Sequence, residues 1–274
     1  MRRPRLIGAI AVSVLMTACS VSGGTARRTA APAGIISAAT PAPPSSGCQH
    51  PRLVSSARLT TWEDAGYYVT NDMWNVGKYS VRQTLGACSY RNWFVTATMD
   101  NGDRANVVKS YPNVYRAFGA TPVSAYHTIT ASYAHVNPGG GIYEDAFDIW
   151  FNGVARWWAT EIMIWTDNHG QIPPGLALAR VTIDGQRYVV WKSRGPGGTI
   201  SFVAVRGSSE GTVNLLSFFD WVIARHWMGA GAQLRQVAYG VELVSTGGVP
   251  ETFAVTSFWV GTTAVTPPAT GGSP

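Results

Sequence analysis

Charge is scarce in this sequence. Only 13% of its 274 residues are Asp, Glu, Lys or Arg, against 46% hydrophobic residues. That balance excludes an intrinsically disordered polymer and supplies material for a large core. Basic clusters are missing too. Arg2, Arg3 and Arg5 stand at the extreme N-terminus, and setting them aside leaves 18 basic against 15 acidic side chains, well spread. No nucleic-acid partner is therefore expected. The five histidines (His50, His127, His135, His169 and His226) show no zinc-ligand spacing, so no metal and no cofactor is expected. One long apolar run occurs, at 6–16, and it is too short to span a bilayer stably. Cysteine is limited to three.

Those three cysteines and the N-terminus are read together. Basic residues, the apolar run and the small residues before Cys19 follow one another as in a signal peptide. Its end resembles a bacterial lipobox, with Met16 where Leu is usual. The expectation is a signal segment at 1–19 with Cys19 lipidated. The protein would then be exported, extracellular or lipid-anchored on the outer face of the cell membrane, and would meet that membrane only through its lipid. Residues 20–46 are Ala, Gly, Pro, Ser and Thr with almost no large apolar side chain, and they read as a flexible tether. The tail at 262–274 has the same character. A single folded domain, 47–261, remains, without internal repeats and expected to be monomeric. Cys48 and Cys88 are then left as a pair that should form a disulfide in an exported chain.

Within that domain short alternating stretches follow one another: 66–71, 93–99, 129–135, 145–151, 160–165, 186–192, 200–206, 235–244 and 251–260. Asn-Gly, Asp-Gly and Pro-Gly steps at 101–102, 138–139, 152–153, 184–185 and 196–197 punctuate them. One helix is predicted over 212–227, where Leu215, Phe218, Phe219 and Val222 share a face. Many strands and one helix predict an all-β sandwich of two antiparallel sheets.

The stretch 160–167, TEIMIWTD, has Ile162 and Ile164 on one face and Glu161, Met163, Trp165 and Asp167 on the other. A glutamate in so apolar a strand is costly unless it is paired or working. Glu242 is the second of the six glutamates in such a setting. Val237, Tyr239, Val241 and Leu243 form its strand's core face, while small Ala238 and Gly240 leave space beside it. Asp148 alternates against Phe147, Ile149 and Phe151 and should face the same cleft. A G-x-S-x-G segment at 207–211 suggests a serine nucleophile. However, His226, the one histidine downstream, lies on the helix leading away, and the helices of an α/β-hydrolase are missing. Two cleft-facing glutamates suit glycoside cleavage instead.

At these residues the chain resembles glycoside hydrolase family 12, the small endo-β-1,4-glucanases. Glu161-Ile162-Met163-Ile164-Trp165 is similar to the family's E-x-M-I-W strand, and Phe147-Asp148-Ile149-Trp150 to its Y-D-I-W strand. Tyr239-Gly240-Val241-Glu242 resembles the acid/base strand. Asn71-Asp72-Met73-Trp74 resembles the N-N-x-W segment, and Tyr111-Pro112-Asn113-Val114-Tyr115 the Y-P-x-x-Y segment. The resemblance implies a β-jelly roll with one helix and a retaining hydrolysis of β-glucan. Glu161 would be the nucleophile, Glu242 the acid/base and Asp148 the partner that tunes Glu161. Asn71, Trp74, Met163 and Trp165 would contact sugar. Asp72 and Asn75 depart from the family pattern. The other class of reading, a glucan-binding module without catalysis, would need the aromatic residues but not the two glutamates.

Overall fold

The computed structural model describes residues 47–77, 79–100, 102, 106–194 and 198–265. The signal segment with Cys19, the 20–46 tether, the tail beyond 265, Asn101 and the 196–197 step lie outside those residues. Alternation of buried and exposed side chains builds two sheets. In spatial order the smaller holds β1 (Leu53–Ser55), β4 (Arg82–Ser89), β5 (Asn92–Thr98), β15 (Glu251–Ala264), β7 (Tyr126–Val136) and β13 (Glu210–Asn214). The larger holds β10 (Leu176–Ile183), β11 (Gln186–Lys192), β12 (Thr199–Ala204), β9 (Thr160–His169), β8 (Ile142–Phe151), β14 (Gln233–Ser245), β6 (Asn113–Pro122), β3 (Tyr67–Thr70) and β2 (Thr61–Asp64). The architecture is the jelly-roll sandwich expected.

One inner face of each sheet makes the core. Ile162 and Ile164 of β9, Phe147, Ile149 and Phe151 of β8, and Val237, Tyr239 and Val241 of β14 meet Leu85, Trp93, Val95, Ile129 and Phe258 from the smaller sheet. Along β15 the buried positions change from Phe253 and Val255 to Phe258 and Val260, because a bulge between Val255 and Ser257 shifts the strand by one residue. Asp184 and Gly185 both have positive φ, 49° and 82°, and close β10 onto β11 as a two-residue hairpin. Cys48 and Cys88 are bonded with Cα atoms 5.6 Å apart, at a sequence separation of 40. Closing such a loop stabilises the fold by about 3–4 kcal/mol on the chain-entropy account.

Three expectations change. Thr262–Ala264, expected to begin the flexible tail, instead close β15 against Ile129, Thr128 and Tyr126 of β7. The helix α1 spans Leu215–Ala224, with the predicted stripe buried, but is shorter than 212–227. Thr212–Asn214 belong instead to β13, where β-branched Thr212 and Val213 pair with Ser132 and Ala131 of β7. The larger sheet is also not purely antiparallel, since β9 and β12 run parallel. From β9 the chain crosses to the sheet edge at β10, and two reversals return β12 in the direction of β9.

Candidate active site

The outer face of the larger sheet carries the candidate residues, and strand register puts them in rows. Trp150, Glu161 and Thr199 stand side by side on β8, β9 and β12. Asp148, Met163 and Ser201 form the next row, with Ala238 of β14 on the other side of Asp148. Ala146 and Gly240 follow, and then Glu144 faces Glu242. Glu161 and Glu242 are thus separated by six residues along β8, about 20 Å of extended strand. Even so, the charge of Glu161 is felt at Glu242, and Asp148 between them feels both. The face between the two rows, with a glutamate at each end and Asp148 between them, is the candidate trough.

Protonation follows from burial. Asp148 is buried, accepts a 2.9 Å hydrogen bond from Trp150 Nε1, and meets no donor at its other oxygen. Desolvation first, then the charges of Glu161 and Glu242, push its pKa well above the ordinary carboxylate range. Protonated Asp148 can then donate to Glu161, which also accepts a hydrogen bond from the Thr199 hydroxyl. Burial raises Glu161 as well, but both hydrogen bonds favour its ionised form. At the opposite wall, Gln171 Nε2 donates to Glu242 Oε2 at 2.8 Å. Burial and the Glu161 charge raise Glu242 to about 7. The trough thus sets a carboxyl group whose hydrogen bonds favour its charge against one raised to about 7.

The remaining candidates divide. Trp74 is 52% exposed, on a turn whose Asn75 ties back to Val108 and Lys109, so its indole face is open to a ligand. Met163 and Trp165 lie in the floor, buried against Ala146 and Val203, rather than standing as open walls. Asn71 presents nothing to the trough. It is fully buried, its amide donates to Ala57 O and its side-chain oxygen accepts from Gln83. The space expected over Gly240 is filled: a Cβ there would meet Pro112 O at 2.1 Å. The register carried on through the Ser110–Leu243 bridge sets Tyr111 opposite Glu242, with its hydroxyl given to Ala146 O at 3.1 Å.

Sequence reasoning missed Glu144, Gln171 and Thr199. The first was detectable. Residues 144, 146, 148 and 150 share a face, but the predicted strand begins at 145 and leaves Glu144 outside. Gln171 and Thr199 carried no signal, because their roles depend on which strands are neighbours. The structure also gathers His135, Asp145 and Asp167, whose ligating atoms lie within 4.8 Å of one another. His135 Nε2 is 3.8 Å from Asp145 and 3.9 Å from Asp167, while Nδ1 is 2.7 Å from the Tyr239 hydroxyl. Burial opposes the imidazolium, but the two carboxylates outweigh it and raise the pKa of His135. This cluster joins β7 of one sheet to β8 and β9 of the other.

Comparison with known proteins matches residues 65–262 to the description "Glycosyl hydrolase family 12". The chain is 24% identical over 207 residues to Endoglucanase S of Pectobacterium parmentieri, covering 65% of this chain and 75% of that protein. It is 30% identical over 159 residues to a probable xyloglucan-specific endo-beta-1,4-glucanase A of Aspergillus flavus, covering 55% and 65% respectively. Thus the chain spans just under two thirds of the second relative. Among solved structures, the xyloglucanase domain of NopAA from Sinorhizobium fredii, in complex with cellobiose, aligns with a TM-score of 0.69 at 25% identity, over 78% of this chain and all of that one. The endoglucanase cel12A of Rhodothermus marinus has the same fold at 22% identity and a TM-score of 0.66.

Proposed function

This chain belongs to glycosyl hydrolase family 12 and is a glycoside hydrolase of the cellulase type, and from that premise we propose that it cleaves β-1,4-glucan with retention of configuration. Glu161 attacks the anomeric carbon as the glycosidic bond breaks, and Glu242 gives its proton to the departing oxygen. Water then enters, Glu242 takes one of its protons, and the hydroxyl displaces Glu161 from the sugar. Two displacements on opposite faces restore the original configuration. Asp148 keeps its own proton and, through it, holds Glu161 ionised and oriented. Trp74 offers an indole face to the C–H face of a pyranose ring.

The observation that carries this reading is the pairing of environments across the trough. Glu161 and Glu242 keep some exposure, whereas Asp148 beside Glu161 and Gln171 beside Glu242 are buried. One glutamate receives hydrogen bonds that favour its charge, and the other holds its proton up to about pH 7. The test uses an aryl glucoside with an activated leaving group, plus azide. Glu242→Ala should form the glycosyl-enzyme and yield an azide product of retained configuration. Glu161→Ala should yield, at most, an inverted one. The reverse pattern by NMR would exchange the roles.

The relatives are named as an endoglucanase and a xyloglucan-specific endoglucanase, so cellulose, mixed-linkage glucan and xyloglucan are the polymers to compare by product analysis. The proposed site of action is outside the cell, with Cys19 as lipid anchor. A Cys19→Ala chain should lose lipid labelling, and undiminished labelling would refute the anchor.

A further inference from the structure

The mechanism above leaves the buried carboxyl group of Glu144 unused. Glu144 is fully buried on β8 and stands directly opposite Glu242 of β14. No hydrogen-bond donor among the described residues reaches either of its oxygens. A buried carboxylate without a donor or a cation is prohibitively costly, so the group keeps its proton. A protonated carboxyl has one bond to give. Opposed residues have Cβ atoms about 4.5–5.5 Å apart, and the acceptor at that range is the Glu242 carboxyl.

We propose that Glu144 is a positioning residue for the acid/base: it retains a proton throughout the reaction and donates a hydrogen bond to Glu242, stabilising the carboxylate that Glu242 becomes on protonating the leaving group. The inference rests on the reading of Glu242 as acid/base. In the first displacement the proton of Glu242 goes to the glycosidic oxygen, while that of Glu144 stays on Glu144 and is shared more closely with the new carboxylate. In the second, Glu242 recovers a proton from water and the bond relaxes.

The other groups facing Glu242 do not replace this donor. Gln171, from the segment after β9, donates to Oε2. Tyr111, on the β6 side, has given its hydroxyl to Ala146 O. Glu161 and Asp72 raise Glu242 through their charges, and Asp148 holds its proton toward Glu161. Burial, followed by the charge of Glu242, places Glu144 well above the ordinary glutamate range, in keeping with a permanent proton. The hydrogen bonds from Glu144 and Gln171 oppose the burial of Glu242 and hold it at about 7. Glu242 would otherwise be a weaker acid.

The experiment is the pH profile of kcat/KM for wild type, Glu144→Gln, Glu144→Leu and Glu242→Gln, on glucan and on an activated aryl glucoside. Gln keeps an N–H donor, so the alkaline limb should stay within a few tenths of a pH unit. Leu removes the donor. The limb should then rise by about one pH unit, as the loss of one hydrogen bond to a charged group implies. Glucan turnover should fall about tenfold at neutral pH, while formation of the glycosyl-enzyme from the aryl substrate is spared. A limb unmoved in Glu144→Leu overturns the inference. So does a limb that drops in Glu144→Gln, which would mean that an ionised Glu144 had been removed from beside Glu242. Limb position does not depend on the fraction folded, and where Leu prevents folding the Gln variant decides alone. If the wild-type limb persists in Glu242→Gln, the assignment of Glu242 itself fails, and the inference with it.

Discussion

Asp72 stands where the family segment carries a second asparagine, and the difference is one of charge. Its backbone φ is 28°, a conformation that Asp and Asn tolerate better than most residues. Burial raises its carboxyl to about 6, so near neutral pH it is mostly ionised. That negative charge is among the causes that raise Glu242. Removing it lowers the Glu242 pKa. Asp72→Asn should therefore move the alkaline limb of kcat/KM downward by a fraction of a pH unit, with little change in folding. An upward shift would mean that Asp72 acts on Glu242 by something other than its charge. Trp74 and Trp165 show how far residue type alone can carry. Both are tryptophans in motifs that resemble glucan-binding segments, yet one is half exposed and the other is 1% exposed beneath the floor.

At the scale of the element, β14 does most to shape the trough. Its core face is fixed by Val237, Tyr239, Val241 and Leu243, and the opposite face must let β6 come close. A Cβ on Gly240 would lie 2.1 Å from Pro112 O and 2.7 Å from Asn113 Cα, and both neighbours are backbone. Neither can yield without moving Tyr111 and the hydrogen bonds between Pro112, Ser110 and β14. Gly240→Ala should cost roughly 2–4 kcal/mol in urea unfolding, and should lower kcat because Glu242 lies two residues along the same strand. Wild-type stability in this variant would show that the approach of β6 is adjustable. Two of the strands that escaped sequence reading show why. β6 carries Gly119 and ends at Pro122 with no steady alternation, and β10 is an edge strand with a bulge between Ala177 and Ala179 and little buried surface.

For the whole molecule, the buried ionisable groups act mostly in one direction. Glu242 is raised to about 7 and Asp145 and Asp72 to about 6, while Asp148, Glu144 and Glu161 are raised as well. Each has a folded pKa above its unfolded value. Its contribution to stability is therefore complete below the unfolded pKa, near 4, and is lost as pH rises through the folded one. His135 is raised too, so its contribution is present below about 6.5 and declines above that. Among the described residues Asp167, lowered chiefly by its hydrogen bond with His135, acts in the opposite sense. The urea midpoint should accordingly fall between pH 5 and pH 8, by an amount on the order of a few kcal/mol in unfolding free energy. A midpoint that rises over this interval would contradict the raised pKa values of these buried carboxyl groups.

The sequence by itself determined the sandwich, the inward faces of β8, β9 and β14, the buried stripe of α1 and the pairing of Cys48 with Cys88. These follow from side-chain periodicity and from the number of cysteines, which are local or countable properties. It also determined which carboxyl groups share the outer face, since Asp148, Glu161 and Glu242 each alternate against an apolar set. What it left open depends on neighbours distant in the chain. The parallel β9–β12 pair brings Thr199 beside Glu161, the segment after β9 brings Gln171 to Glu242, and β6 closes over Gly240. Only the tertiary structure decided that Asn71 is spent inside the protein and that Glu144 faces Glu242. Burial and strand register are sums over many contacts, and no short window of sequence contains them.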